Sequence, residues 1–451
     1  MVFKKTSLSI IFILIITIIV GLIIERRNSE SKKIEIGILS EQLKVKNQQL
    51  AKIQKKLGAK DIDLQKMVND GKLQFKTVIL NKKIDDKFTF SKFKTQDILF
   101  SKNGYALGSS YIDYSDGKLF LASGNGIFAY TNLDGEIKDL KIIQSNIKDI
   151  VKYDKFYETS QYGIKDILIY KNELYVSLIN EKFSDCYNLS ILKSKLSTES
   201  LDFSLFYEPK KCIRKNNVYG EFWAHQGAGG RMVAFKENQI LFTTGDFRYR
   251  TLAQMKDNDY AKIIKINLTN GKSSFVSIGH RNPQGIYYNS KEDYIISTEH
   301  GPKGGDEINL NKNPDQKIKN YGWPISSYGK HYAKHYSKER LAKAPLYKSH
   351  KKYGFEEPLK YFVPSIGISE IIMISDDNAE HEFLVGSMGS EIKEGDLSIH
   401  YIKLNKNKSK IVKHKIITIG ERIRDMIYLK EKKVALLFLE TTSSIGLLRI
   451  N

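Results

Sequence analysis

Side chains that could bind an anion and a metal ion are concentrated between residues 279 and 324, in the run GHRNPQGIYYNSKEDYIISTEHGPKGGDEINLNKNPDQKIKNYGWP. Its first tight turn carries four polar side chains, namely His280, Arg281, Asn282 and Gln284. A β-rich run at 294–298 leads to a second turn with His300, Gly301 and Pro302. Guanidinium groups bind carboxylates, and oxygen atoms, including backbone carbonyls, bind calcium. The stretch therefore predicts a site for an anionic ligand beside a hard cation.

Other residues capable of chemistry lie far from this stretch in the sequence. His225 stands in the run FWAHQGAGGRM, and Asp246 ends the run TTGD. Histidine has a reference pKa near neutrality and therefore suits a general base. Arg422 and Arg424, in GERIRDM, are two residues apart, so a strand would point both side chains the same way. Residues so far apart can form one site only if the fold brings them together.

A repeated pattern of short strands predicts such a fold. β-rich runs recur at intervals of roughly fifty to ninety residues, most of them after a polar turn, at 118–123, 173–179, 239–244, 293–298, 382–387 and 433–439. Six such units predict an all-β, six-bladed β-propeller over residues 76–451, with the final run SIGLLRIN helping to close the ring. The longest interval contains an insertion at 325–361 that is rich in tyrosine, histidine and lysine. A propeller places its functional loops at one end of a central channel, where the separated residues would meet.

Three motifs resemble those of a known family. HRNPQG, EHGPKGGDEINL and NYGWP, in this order and at close spacing, are similar to the signature of the soluble glucose, aldose sugar and sorbosone dehydrogenases. Members of that family are six-bladed β-propellers that use pyrroloquinoline quinone (PQQ) and calcium. The resemblance implies an oxidoreductase that oxidises an aldose-type sugar or a related alcohol.

The resemblance also implies a role for each candidate residue. His225 matches the general base that takes the proton of a sugar hydroxyl while hydride passes to the quinone, and Asp246 matches the group that orients this base. Arg281 matches the arginine over the quinone carbonyl, where it stabilises developing negative charge. The carbonyls of Gly301 and Pro302 match the protein ligands of the cofactor's calcium, a Lewis acid. Further matches to cofactor contacts, and one to a glutamine that lines the channel, are Asn282, His300, Ser365, Arg422, Arg424 and Gln161.

Several departures from the family pattern concern substrate specificity and cofactor affinity. His300 stands where the soluble glucose enzymes have glutamine, and Ala224 replaces an aspartate beside the base. Gly389 occupies the position of a lysine near PQQ, with Lys393 close by in the run SEIKEGD. The HQGAGG loop is also longer than in the soluble enzymes. The base and the arginine pair are retained.

The first 75 residues predict a membrane anchor and a stalk. Residues 1–27 contain the run SLSIIFILIITIIVGLII, which is uncharged and long enough to cross a bilayer. No A-x-A-like cleavage site follows, which favours a retained signal anchor. Residues 28–75 carry apolar residues at heptad spacing, which predicts a helical stalk with a coiled-coil seam; a solvated helical spacer is the alternative. The expected location is the cytoplasmic membrane, with a single span and the propeller on the periplasmic or extracellular side.

Composition limits the range of partners. The chain has 72 Lys and Arg residues against 51 Asp and Glu, a formal charge of +21. The lysines are scattered and no nucleic-acid module accompanies them, so nucleic acid is not an expected partner. A solvated surface, or attraction to anionic lipid or to an acidic electron-transfer partner, accounts for them. Cys186 and Cys212 flank a predicted hairpin in a chain predicted to be exported, which leaves either a disulfide or two separate thiols.

Together these features predict a PQQ- and calcium-dependent quinoprotein sugar dehydrogenase. Its expected partners are a sugar substrate, a quinone or cytochrome electron acceptor, the membrane and, through the stalk, further copies of the chain. Two alternatives stay open: a non-catalytic propeller that binds carbohydrate or protein, and a calcium-dependent hydrolase of the lactonase type. Retention of both Arg422 and Arg424 favours the quinone over the lactonase.

Overall fold

The computed structural model describes residues 74–95, 102–103, 106–107, 109–134, 137–158, 160–215, 227–332, 335–376, 380–390 and 392–451. Residues 1–73, which comprise the predicted anchor and all but the last two positions of the predicted stalk, lie outside the described residues, as do Ala224 and His225. In the described part of the chain, no helix is long and apolar enough to span a bilayer. Its α-helices are short, at Ile147–Ile150, Asp154–Glu158 and Lys338–Lys343, and its 3₁₀ turns lie at Ser160–Tyr162, Arg250–Gln254, His350–Tyr353 and Ile392–Glu394.

Six sheets, antiparallel except for the outermost strand pair of two of them, form the six blades of a β-propeller, which confirms the predicted propeller. We number the blades in chain order and give their strands from the channel outward. Blade 1 contains Ser110–Ser115, Lys118–Ser123, Phe128–Asn132, Lys141–Ser145 and Ser200–Leu201. Blade 2 contains Ile164–Tyr170, Glu173–Phe183, Cys186–Lys195 and Ser204–Tyr207, with Ile213–Arg214 paired to its third strand. Blade 3 contains Gly229–Phe235, Gln239–Thr244, Lys262–Asn267, Ser273–Ile278 and Lys319–Asn320.

The second half of the ring follows the same order. Blade 4 contains Pro283–Asn289, Tyr294–Glu299, Asp306–Lys312 and Lys360–Phe362. Blade 5 contains Ile368–Ser375, His381–Ser387, Ser398–Leu404 and Ile411–Thr418. Blade 6 contains Ile423–Leu429, Val434–Leu439, Ser444–Ile450, Phe88–Lys94 and Lys76–Lys83. A separate two-stranded hairpin joins Lys102–Asn103 to Ala106–Leu107.

The six β-rich runs read from the sequence are the second strands of the six blades. Neighbouring blades cover both faces of each second strand. Its residues are therefore apolar at successive positions rather than alternating between apolar and polar. The strand Val434–Leu439, with the sequence VALLFL, is buried at every position. This strand position therefore gives the clearest signal in the sequence.

The ring is closed by both ends of the propeller domain. The strand Phe88–Lys94 pairs with Ser444–Ile450, so a strand from the start of the domain completes blade 6. The prediction that SIGLLRIN helps to close the ring is confirmed. Cys186 and Cys212 form a disulfide, which joins the third strand of blade 2 to the segment after its fourth.

A single buried guanidinium group ties the inner strands together. Arg231, in blade 3, forms ion pairs of 2.7–3.2 Å with carboxylates from three other blades, namely Asp166, Glu370 and Asp425. Arg231 Nε also donates a 2.9 Å hydrogen bond to the carbonyl of Gln284 in blade 4. Asp425 accepts a 2.7 Å hydrogen bond from the amide of Ile112, which brings in blade 1. The cluster therefore connects all six inner strands within the channel.

Candidate active site

The predicted site residues lie at one end of the channel. In each blade the start of the inner strand pairs with the end of the second strand, as in Gly229 with Thr244, Pro283 with Glu299, Ile368 with Ser387 and Ile423 with Leu439. The described candidates all come from the segments that flank these pairs. Separate blades thus bring their candidates to the same end of the ring.

Asp246 and Arg281 are joined through the backbone and through Trp323. The Asp246 amide donates a 2.8 Å hydrogen bond to the Arg281 carbonyl. The Trp323 indole N–H donates to Asp246 Oδ2 at 2.8 Å, and the Arg281 guanidinium lies 5.6 Å from the centre of the same indole ring. Burial raises the pKa of the Asp246 carboxyl, against the opposing effect of Arg281. The tryptophan of the NYGWP motif thus contacts both Asp246 and Arg281. The sequence did not predict this role.

Three arginines surround His300. Arg281 donates a 2.9 Å hydrogen bond to the His300 carbonyl. Burial lowers the pKa of the His300 imidazole, although Asp306 opposes this shift. Three nearby guanidinium groups lower the pKa further, those of Arg281, Arg424 and Arg422. The Nε2 atom of His300 is buried without a hydrogen-bond partner among the described residues. The imidazole is therefore held neutral, with one nitrogen left for a ligand.

Arg422 and Arg424 share a carboxylate that the sequence reading missed. Glu440, at the end of the second strand of blade 6, lies 3.1 Å from Arg422 Nε and 2.9 Å from Arg424 Nη2. Burial would raise the pKa of Glu440, but Arg424 and Arg422 hold it below its usual value. The Nε atom of Arg424 is buried and has no partner within the described residues. Glu440 thus fixes both arginines and leaves Arg424 with a free donor.

Asp306 organises the turn that carries Gly301 and Pro302. Its Oδ1 atom accepts hydrogen bonds from the Gly301 amide at 3.0 Å and from the Ser365 hydroxyl at 2.9 Å. Its Oδ2 atom accepts a 3.0 Å hydrogen bond from the amide of Ile368. Ser365 is therefore placed beside the turn, with its hydroxyl proton directed at Asp306.

Asn282 and Gln161 take positions that are mainly supporting. Asn282 Oδ1 accepts hydrogen bonds from the Gly229 amide at 3.0 Å and from Gln284 Nε2 at 2.9 Å, which links blade 4 to blade 3. Gln161 lies in the 3₁₀ turn before the inner strand of blade 2. Its carbonyl accepts a 2.8 Å hydrogen bond from Lys165 Nζ.

Lys165 is a second residue that the sequence reading missed. It is buried at the start of the inner strand of blade 2, and its stem crosses Gly230, where a Cβ would lie 2.3 Å from Lys165 Cβ. Burial and the charge of Arg424 lower the pKa of Lys165 to about 7, while Glu440 acts to raise it. The available signal was a Lys-Asp pair within the mostly apolar run GIKDILIY. Lys165 adds a titratable cation to the arginine group.

The position of Gly389 has a steric explanation. A Cβ atom at Gly389 would lie 1.9 Å from Asp396 Oδ2, so the Asp396 carboxylate fills the space that a side chain would need. The lysine that the family pattern places here is excluded by this neighbour.

The assembled site suits a planar anionic ligand. Guanidinium donors, a cationic lysine and a neutral imidazole converge at this end of the channel. Guanidinium groups bind carboxylates through pairs of parallel hydrogen bonds. Within the described ranges, no group of three or more His, Cys, Asp or Glu side chains could hold a metal ion.

These features define a six-bladed propeller with a cationic ligand site at one end of its channel. Residues 113–448 match the family described as Glucose / Sorbosone dehydrogenase, and the chain belongs to this family. It is similar to the aldose sugar dehydrogenase YliI of Escherichia coli, with 29% identity over 216 residues; the alignment covers 44% of this chain and 53% of that protein. The chain thus spans about half the length of this curated relative.

Solved structures share the fold. The soluble aldose sugar dehydrogenase of Escherichia coli in its apo form has 18% identity and a TM-score of 0.58, covering 76% of this chain and 95% of that one. The holo PQQ domain of a pyranose dehydrogenase from Coprinopsis cinerea has 9% identity and a TM-score of 0.52, covering 83% and 97%. At these identities the likeness establishes the propeller fold.

Proposed function

We propose that this protein is a PQQ- and calcium-dependent dehydrogenase that oxidises an aldose-type sugar or a related alcohol. The observation that carries the proposal is that the charges of Arg281, Arg422 and Arg424 all act on His300, while His300 Nε2 and Arg424 Nε have no hydrogen-bond partner among the described residues. Membership of the glucose/sorbosone dehydrogenase family supports it. The fold shared with a PQQ domain of a pyranose dehydrogenase is consistent with it.

The residues at the channel end fit the cofactor. Arg422 and Arg424 would bind its carboxylates, Lys165 would add a further cation, and Arg281 would supply positive charge for the quinone oxygen. The carbonyls of Gly301 and Pro302 would hold calcium, in a turn that Asp306 fixes. When bound, PQQ supplies the two-electron acceptor for hydride and calcium supplies Lewis-acid polarisation. Ser365 and Asn282 stabilise the surrounding loops.

His225 is the proposed general base, from its match to the family's motif. It accepts the proton of the sugar hydroxyl as the hydrogen on the same carbon leaves as hydride, which yields the oxidised sugar. Asp246, fixed by Trp323 and by the Arg248 amide at 2.7 Å, orients the residues around this base. Gln161 lines the channel near the substrate.

Reconstitution tests the proposal. Full-length protein is mixed with PQQ and calcium, and dye reduction is followed with a panel of aldoses and alcohols. We expect sugar-dependent reduction and a PQQ absorbance change on binding. His225→Asn should abolish turnover and leave PQQ affinity within about threefold, because the base touches substrate rather than the carboxylate clamp. If neither PQQ binding nor dye reduction is found, the proposal is wrong.

The proposal also covers the membrane anchor, the helical stalk and the electron acceptor. We place the propeller outside the cytoplasmic membrane, held by a single span within residues 1–27, with a quinone or cytochrome as electron acceptor and with self-association through 28–75. Fractionation checks this arrangement: the full chain should sediment with membranes, and a chain without residues 1–27 should not.

A further inference from the structure

The insertion at 325–361 packs directly against the candidate active site. It lies between the third and fourth strands of blade 4, and the amides and carbonyls of Lys330 and Lys303 bond to each other at 2.8 and 3.1 Å. A Cβ at Gly329 would lie 2.7 Å from Pro302 Cγ, so the insertion contacts the turn that carries the proposed calcium ligands. The surface of the insertion is therefore continuous with the rim of the site.

This surface is unusually rich in exposed tyrosine. Among the described residues the four most exposed tyrosines all belong to it, namely Tyr332 at 51%, Tyr347 at 44%, Tyr353 at 38% and Tyr361 at 47%. Two pairs are stacked face to face, Tyr328 with Tyr361 at 3.7 Å and Tyr347 with Tyr353 at 4.3 Å. Stacking holds these rings in place, so they can meet a ligand at little cost in conformational entropy.

The same surface is strongly basic. Its described part carries eight Lys or Arg residues against three glutamates. The glutamates are already engaged: Glu339 with Lys343 at 2.6 Å, Glu356 with Lys319 at 3.4 Å, and Glu357 with the Tyr328 hydroxyl at 2.6 Å. Lys330, Lys348, Lys351 and Lys352 are exposed. The positive charge is therefore not balanced within the insertion.

Aromatic and guanidinium groups connect this surface to the site. The Arg248 guanidinium lies 5.6 Å from the ring of Tyr332, and its amide contacts Asp246. Arg250 lies 6.0 Å from the ring of Trp323 and 6.0 Å from that of Tyr336. Trp323 in turn contacts both Asp246 and Arg281. A chain entering the site along this rim would meet alternating planar and cationic groups.

We propose that the insertion binds the remainder of an acidic saccharide chain whose terminal unit enters the active site. Tyrosine faces pack against the apolar faces of sugar rings, and the lysines and arginines pair with carboxylate, sulfate or phosphate groups on them. This inference rests on the proposed function and names the substrate class within it. An acidic protein would also match the charge, but the continuity of the tyrosines with the site mouth favours a chain that is also the substrate.

Calorimetry on the full-length protein tests this surface without turnover. Tetragalacturonate and maltotetraose are the acidic and neutral probes, in low and high salt. We expect tetragalacturonate to bind at least about tenfold more tightly at low salt and to lose this advantage at high salt, because exposed charge pairs are screened. The double variant Lys351→Glu/Lys352→Glu should weaken its binding about tenfold. Tyr332→Ala should weaken both saccharides, and Tyr332→Phe should retain them.

The matched control changes the same charge elsewhere. Lys76→Glu/Lys82→Glu alters two exposed lysines on the outermost strand of blade 6 and should leave both affinities unchanged. Equal binding of the two saccharides, or an equal loss in this control, would overturn the inference. Competition by a glutamate-rich peptide as strong as tetragalacturonate would show an acidic-protein surface and would equally overturn it. Dye reduction with the panel of aldoses and with tetragalacturonate reports the proposed function separately: acidic binding without oxidation of any of these sugars would reject that function and leave this surface in place.

Discussion

Lys165 is the residue whose charge state most directly determines what the site can bind. It is buried beside Arg424 and Glu440, and its pKa of about 7 means that it is half protonated at neutral pH. A protonated Lys165 adds attraction for a carboxylate ligand, and a neutral one does not. The arginines remain charged throughout this range. A change in anion affinity near neutral pH that disappears in Lys165→Met therefore belongs to Lys165 rather than to the arginine pair.

We predict that PQQ affinity falls as pH rises through about 7 in the wild type and stays level in Lys165→Met. The ligand carboxylates are ionised across this range, so only the protein cation titrates. Titration of PQQ absorbance at pH 6, 7 and 8 measures the effect. Lys165→Arg is the control, because a permanent charge should keep the affinity high at all three values. Parallel pH profiles for wild type and Lys165→Met would contradict the assignment.

The same group predicts a pH dependence of stability. A lysine is protonated up to about pH 10 in the unfolded chain, whereas burial lowers the pKa of Lys165 to about 7 in the folded protein. The unfolded state therefore binds more protons between these values, and stability rises with pH there. We expect Lys165→Met to be more stable than wild type at pH 6.5, with the difference shrinking towards pH 10. Urea unfolding at both pH values checks this, and a constant difference would contradict it.

At the scale of strands and blades, Arg231 acts as the common partner of the inner strands. It is nearly inaccessible and compensates three carboxylates, of which Glu370 has a pKa raised to about 7, mainly by burial. Removing the cation that pairs with all three carboxylates of such a cluster leaves buried charges uncompensated.

We predict that Arg231→Met lowers the free energy of unfolding by about 3–5 kcal/mol. Urea denaturation followed by tryptophan fluorescence measures the loss. Lys211→Met is the matched control, because its ion pair with Asp257 is 55% and 56% exposed at the two side chains and should contribute less than about 1 kcal/mol. Equal losses in the two variants would mean that the cluster does not hold the blades together.

The second strand of each blade could be predicted from the sequence, and other elements could not. Residues 434–439 are buried on both faces and form an uninterrupted apolar run, which periodicity detects. The strand Lys76–Lys83 is almost fully exposed, and its three apolar residues, 78–80, are too few to form a periodic pattern that would mark it. Motif resemblance located Arg422 and Arg424, but Glu440 was missed because it reads as the end of a strand. Glu440 acts through contacts with side chains of the neighbouring inner strand. A local sequence pattern does not show which residues of another strand lie beside it.

For the whole molecule, the closure of the ring makes the two ends of the propeller depend on each other. All seven residues of Phe88–Lys94 are paired with residues of Ser444–Ile450, although the partners lie between 350 and 362 positions apart in the sequence. Lys92 pairs with Glu421, and Thr95 donates to the Ser443 carbonyl, so the contact extends to the site end of blade 6. Glu421 directly precedes Arg422. The amino-terminal strand therefore supports the segment that begins the arginine pair.

Truncation from the amino terminus tests this dependence. We predict that a chain beginning at residue 74 keeps the thermal midpoint of the full-length propeller, because every strand of blade 6 is still present. A chain beginning at residue 96 loses Phe88–Lys94, including the core residues Phe88 and Phe90. The loss exposes the edge of Ser444–Ile450 and uncovers apolar residues of the same core cluster, such as Leu437 and Leu448. An exposed apolar edge of this kind promotes aggregation, so we expect insoluble protein or a midpoint lower by more than about 10 °C. Adding a synthetic peptide of residues 74–95 should restore the midpoint, since the peptide can pair with the open edge. If the shorter chain melts like the longer one, the ring is stable without its amino-terminal strand, and the support that this strand gives to Arg422 is not needed.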